Sequence, residues 1–159
     1  MTSANDYQVG GSHYNTKDPA FKHWDWVIAT GLGYLEGVAT KYVARWRHSK
    51  TGLQDLEKAY HYVQKLIEVS PLLLGPDDIE LQECDLDTRK QLDAANNRFF
   101  DAAALSDQEA DFCELLVYWR SVGITNLHGA QEILRAIMEQ ADKANPVPLS
   151  DSNKHAERA

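Results

Sequence analysis

Residues able to bind an anion cluster in one stretch, Tyr34 to Tyr62 (YLEGVATKYVARWRHSKTGLQDLEKAYHY). Wound as a helix at about 100° per residue, its first half places Gly37, Lys41, Arg45 and His48 in one row. Leu35, Ala39, Tyr42, Val43 and Trp46 then share a core face. Lys41 and Arg45 are like charges one turn apart, mildly unfavourable in an isolated helix. Gly37 costs about 1 kcal/mol against alanine, yet it permits close approach to the backbone. An arginine fork and a lysine point charge in one row suit phosphate oxygens. The spacing leaves two readings open, an anion site or a solvated basic face.

These residues need a scaffold, and the same stretch supplies it. Thr51 with Gln54 three residues on is a capping-box start for a second helix. Leu53, Leu56, Tyr60, Val63 and Ile67 form its apolar stripe, and Asp55, Ala59 and Tyr62 a separate narrow row. Arg47-His48-Ser49-Lys50 joins the arms, so the prediction is a helical hairpin with cations at its bend. Upstream, Gly10-Gly11-Ser12-His13-Tyr14 is either an ordinary turn or a backbone nest for an anion that presents His13. It is not a Walker A loop, because no Gly-Lys-Ser/Thr follows and no strand precedes it. Asp18-Pro19 reads as a helix start. A short aromatic helix over Phe21 to Thr30 is expected to turn Trp24, Val27 and Ile28 inward, with Gly31-Leu32-Gly33 as its break.

Beyond the hairpin, Ser70-Pro71 reads as its end and Leu72 to Pro76 as a linker. Asp77 to Leu105 is acidic, with Leu81, Leu92, Phe99 and Phe100 as expected buried points. Ser106-Asp107-Gln108-Glu109 is a capping box. The helix after it is apolar almost all round, hence central, and Gly123 closes it. Asn126 is expected to cap a last helix that Asn145-Pro146 stops. No strand pattern emerges. The expected fold is all-α, a compact bundle of about five to six helices around the basic hairpin. Residues 7–70 read as one helical domain, 71–145 as an acidic helical extension packed on it, and 146–159 as a disordered tail.

The 159 residues suit one domain, or one domain with a helical addition. Net charge is −8 but uneven: 8 basic and 7 acidic side chains lie in residues 1–70, against 8 and 17 beyond. The acidic half argues against duplex nucleic acid, whose binding depends on phosphate neutralisation. No apolar run approaches the roughly 18–20 residues of a membrane span, and no signal pattern opens the chain. Cys84 and Cys113 lack metal-ligand spacing and read as free thiols of a reducing cytosol.

Gly11-Ser12-His13-Tyr14, then Leu35-Glu36-Gly37 through Lys41-Tyr42 to Arg45, then Asp55-Leu56, Lys58-Ala59 and Tyr62, resemble a bacteriophage protein family. Its short domain carries a Ser-His-Tyr start, a Gly-Asn-x-x-Lys-Tyr-x-x-Arg helix and an Asp-Leu-x-Lys-Ala-x-x-Tyr helix. One branch is the small early nucleotide kinase of short-tailed coliphages, which phosphorylates deoxynucleoside monophosphates without a Walker A motif. The resemblance covers roughly residues 7–69. It implies a kinase in the host cytoplasm with a nucleoside triphosphate as donor, and leaves a need for Mg²⁺ open. It implies His13, Lys41, Arg45 and Asp55 as catalytic residues. His13 would orient the acceptor phosphate, and Asp55 would hold a cation or position Arg45. It implies Tyr14, Tyr42 and Tyr62 as supporting aromatics; on the residues themselves, Gly11, Ser12, Gly37, Arg47 and Lys50 would also line the substrate, with Trp24 or Tyr14 stacking on the base. Few site residues per chain point to a site shared in a homo-oligomer. Val38 stands where the family has Asn, which implies altered substrate choice or lost activity.

Two rivals belong to other classes. Asp107, Asp111 and Glu114, at i, i+4 and i+7, suit the Mg²⁺-binding carboxylates of an all-α nucleoside triphosphate pyrophosphohydrolase, or simply a solvated early-helix face. A non-catalytic protein that sequesters a nucleotide or docks on a host protein would use the same basic pocket.

Overall fold

A computed structural model describes residues 3–6, 9, 16–74 and 84–144. Six α-helices and two short 3-10 turns form them, with no strand among the described residues. No helix among them is long and apolar enough to cross a membrane. The expected all-α bundle is what the chain forms.

Helix α1 spans His23–Thr30 and starts later than Asp18-Pro19 suggests. Asp18 bonds its own turn instead: its Oδ1 accepts the Ala20 N–H at 3.1 Å, and its carbonyl accepts that of Phe21 at 3.2 Å. A short carboxylate offers the backbone this alternative to a helix. The helix start is set by Asp25, whose carboxylate accepts the Lys22 N–H at 2.8 Å. Gly31, at φ 68°, closes α1 in the left-handed conformation that glycine takes without strain. The inward aromatic is Trp26, not Trp24. Trp26 is fully buried, while Trp24 is 48% and Ile28 79% exposed. Trp26 stacks on Phe99 at 4.7 Å and donates its indole N–H to Asn96 Oδ1 at 2.9 Å.

Helix α2 (Tyr34–Arg45) runs through the 3-10 turn Trp46–His48 into α3 (Gly52–Leu74), making the predicted hairpin. A Cβ on Gly52 would lie 2.5 Å from the Trp46 carbonyl oxygen, so only glycine lets the second arm start so close to the bend. Helix α3 does not stop at Pro71 but carries it in its last turn. Proline has no N–H for the Ile67 carbonyl, and the Ser70 hydroxyl takes that place, donating to it at 2.8 Å.

Helices α4 (Leu86–Ala103), α5 (Asp107–Val122) and α6 (Ile124–Ala144) complete the bundle. The Ser106–Glu109 capping box forms as read. Gly123 alone separates α5 from α6, so α6 begins two residues before Asn126. Helices α2 and α3 pair, α5 and α6 pair, α3 packs on α6, and α1 lies against α4. One core joins both halves, from Trp26 and Val43 through Leu56, Val63 and Leu66 to Phe112, Trp119, Leu134 and Ile137. Expected points Leu81 and residues 146–159 lie outside the described residues.

Candidate functional site

At the α2–α3 interface Arg45 meets Asp55. The guanidinium donates from Nε at 3.0 Å and from a terminal nitrogen at 2.8 Å, one bond to each carboxylate oxygen. Asp55 is fully buried and the Arg45 side chain 22% exposed. Both oxygens face Arg45, so Asp55 positions that arginine, the second of the two roles open to it. The expected open row of Asp55, Ala59 and Tyr62 is not one, because Asp55 and Ala59 are both at 0% exposure. The α3 core face turns on Leu56, Ala59, Val63 and Leu66, and Leu53 is left 39% exposed.

The fixed guanidinium lies over the Tyr42 ring, 4.8 Å from its centroid. Lys58 Nζ stands 5.5 Å from the same ring, a cation the sequence reading used only as a motif residue. Tyr62 lies 6.1 Å from Tyr42 and 6.3 Å from Tyr34, ring to ring. The hydrogen bond with Tyr34, then the Tyr34 charge, hold the Tyr62 hydroxyl above its usual pKa. Arg45, Lys58 and three phenols thus form one patch on the hairpin.

Lys41 has a neighbour that sequence reasoning missed, His23. His23 Nε2 lies 2.9 Å from Thr40 Oγ1. The Thr40 hydroxyl proton already goes to the Glu36 carbonyl at 2.9 Å, shared with that of Gly37 at 3.1 Å. Thr40 therefore accepts from His23, whose proton sits on Nε2. Burial, with the Lys41 charge second, lowers the His23 pKa to about 4, so the ring is neutral at physiological pH. Gly37, in the same row, is covered by α1. A Cβ there would meet Val27 at 3.5 Å, an ordinary contact, so packing against α1 does not by itself require glycine.

The other expected site residues are placed elsewhere. Arg47 donates to Glu109 on α5 from Nε at 2.8 Å and from a terminal nitrogen. Glu109 also accepts the Trp46 indole N–H at 2.6 Å and the Ser106 backbone N–H at 2.9 Å. Arg47 is thereby a strut between the bend and α5. Trp24 sits on the outer side of α1 and donates to Asn5 Oδ1 at 2.5 Å. Lys50 is exposed at the bend. Gly11, Ser12, His13 and Tyr14 lie outside the described residues.

The acids of the rival reading, Asp107, Asp111 and Glu114, are exposed on α5. Among the described residues no group of three or more His, Cys, Asp or Glu side chains is arranged to hold a metal ion. Asp111 and Glu114 instead line a cavity of about 580 Å³ between α4, α5 and α6, away from the hairpin. A cavity is where a small ligand is first sought, whereas an anion on the α2–α3 patch would be held by fixed donors rather than by enclosure. Compared with family models, curated proteins and solved structures, the chain has no match.

Proposed function

We propose that the α2–α3 patch binds nucleotide phosphates, and that the protein transfers the γ-phosphoryl group of a nucleoside triphosphate to a deoxynucleoside monophosphate. The observation that carries this is the Arg45–Asp55 pair. A fully buried carboxylate orients a partly exposed arginine, and Tyr42 supports its plane. Such an arginine meets phosphate oxygens without losing side-chain freedom at that step. Lys41 and Lys58 add positive charge on the same hairpin.

Phosphoryl transfer asks the protein for alignment and charge neutralisation rather than covalent chemistry. A phosphate oxygen of the monophosphate bonds to the γ-phosphorus as the γ-phosphorus to bridging-oxygen bond breaks. Two diphosphates result. Arg45 and Lys41 stabilise the charge spread over the transferring oxygens. Tyr34 and Tyr62 offer ring faces to a base. His13 and a homo-oligomeric site come from the sequence reading, and action in a host cytoplasm from the phage-family resemblance. Magnesium, where used, arrives with the triphosphate, because both Asp55 oxygens are taken by Arg45.

The test uses each deoxynucleoside monophosphate with a panel of triphosphates, with and without Mg²⁺, and ion-exchange separation of products. Diphosphate formation is expected, reduced at least about 100-fold in Lys41→Ala and Arg45→Lys. Arginine to lysine keeps the charge beside buried Asp55, whereas alanine would leave that carboxylate unpaired and confound the result. Val38 favours a second reading, a nucleotide-binding protein without turnover. Saturable nucleotide binding with no diphosphate would select it. Neither binding nor turnover would overturn both.

A further inference from the structure

Two cations of the hairpin share one ring. The Arg45 guanidinium lies 4.8 Å and the Lys58 ammonium 5.5 Å from the Tyr42 centroid. Both are inside the roughly 6 Å at which a ring face attracts a cation. The two charges are therefore no farther apart than about 10 Å, the screening length of roughly 0.1 M salt, and repel each other. Asp55 balances Arg45. It also lies one turn before Lys58 on α3, the usual place for an ion pair, but both its oxygens face Arg45. The other positions one turn from Lys58 hold Gln54, His61 and Tyr62, none of them an acid. Glu57, next in sequence, points about 100° away round the helix. Glu36 is held by Trp119 and Arg120 of α5. Among the described residues Lys58 forms no ion pair. It is half-buried against Tyr42, a lysine that no hairpin acid balances.

We infer, resting on the phosphate-binding reading of the hairpin, that Arg45 and Lys58 together grip a chain of phosphates, and that Lys58 is the residue by which the patch tells a nucleoside triphosphate from a monophosphate. A triphosphate tail meets the Arg45 fork and the Lys58 point charge at the same time. A monophosphate held by Arg45 leaves Lys58 without a phosphate. Tyr42 is a positioning residue. It touches no phosphate, and its ring fixes the spacing of the two cations. The ring face rather than the hydroxyl does this, because the face carries the negative end of the quadrupole. The Asp55-paired arginine alone would take either nucleotide, so the preference for a tail lies with Lys58.

The experiment is calorimetric titration of the full chain with each deoxynucleoside triphosphate, with its monophosphate and with inorganic tripolyphosphate, with and without Mg²⁺. The triphosphates are expected to bind more tightly than the monophosphates. Lys58→Ala should weaken triphosphates and tripolyphosphate at least about tenfold, and monophosphates less than about twofold. Tyr42→Phe keeps the ring and should keep the wild-type ratio of the two nucleotide affinities. Tyr42→Leu removes the ring face and should lower that ratio at least about threefold. Loss of folded protein scales both affinities alike and cannot change the ratio. Equal weakening of both nucleotides by Lys58→Ala would overturn the inference and leave the phosphate-binding reading standing. So would Lys58→Ala binding as the wild type does, or Tyr42→Leu keeping the ratio. No nucleotide binding by the wild-type chain would overturn both. Selective triphosphate binding without turnover would uphold Lys58 in this role and select the binding protein over the kinase.

Discussion

His23 illustrates how a single side chain acquires a role from its surroundings. It opens an eight-residue helix beside two tryptophans, and nothing in that local run marks it as special. Its meaning comes from Thr40, from Lys41, and from the rings of Trp26 and Phe99, each 5.6 Å away. The folded imidazole takes up its second, charging proton only below about pH 4, whereas in the unfolded chain it does so below about 6.5. Between those values the unfolded state binds more protons, so stability rises with pH there. The contribution is fully present above about pH 6.5 and is lost as pH falls through about 4. At about 1.4 kcal/mol per pKa unit, the loss reaches roughly 3 kcal/mol. Urea unfolding from pH 7 to pH 4 should show this slope, and His23→Gln should flatten it. An unchanged slope in the variant would mean that the imidazole is not held neutral.

At the scale of elements, three buried carboxylates join helices that hydrophobic contact alone would leave free to slide. Asp55 ties α3 to α2. Glu36, at the start of α2, accepts the Trp119 indole at 2.8 Å and Arg120 at 3.0 Å from the end of α5. Glu109, at the start of α5, holds Trp46 and Arg47 in the turn that directly follows α2. Helices α2 and α5 are thus pinned at both ends, which fixes their register. Glu109→Gln should cost roughly 2 kcal/mol in urea unfolding, below the range for a fully enclosed pair because Arg47 remains 42% exposed. A loss under about 0.5 kcal/mol would show the pair to be idle. Of these clips only Asp55 with Arg45 was among the sequence expectations, as one of two roles for Asp55. Glu36 and Trp119 are 83 residues apart, and burial of a charge depends on a partner that no local pattern names. What was legible was local. The Ser106–Glu109 cap formed because both partners lie within one turn. The α2 core face held at Ala39 and Val43, because a twelve-residue helix has room for its period to show. Eight residues of α1 were too few, and Trp24 was taken for Trp26. At the hairpin the cations were readable, but not that Glu109 of α5 would engage Arg47 at the bend.

Across the whole molecule, the division at residue 70 that charge and composition suggest does not follow the core. Leu56, Ala59, Val63 and Leu66 of α3 are fully buried, and α3 packs on α6 as well as on α2. The basic first half therefore supplies one side of a core whose other side, Leu127, Ala130, Leu134 and Ile137, comes from the acidic half. A chain cut after Leu74 would keep the motif residues of the hairpin. It would also expose the α3 face that α6 covers and strip Glu36 of Trp119 and Arg120. A domain this small has little stability to spare, and losing one wall of this core removes more than the usual margin. Residues 1–74 alone should show far less helix by circular dichroism than their share of the intact fold, with no cooperative thermal transition. Mixing in residues 84–144 should restore the helix signal in a 1:1 complex if the shared core is what folds them. A cooperatively folded 1–74 fragment would instead make the hairpin an autonomous unit, with the acidic half as an attachment to it.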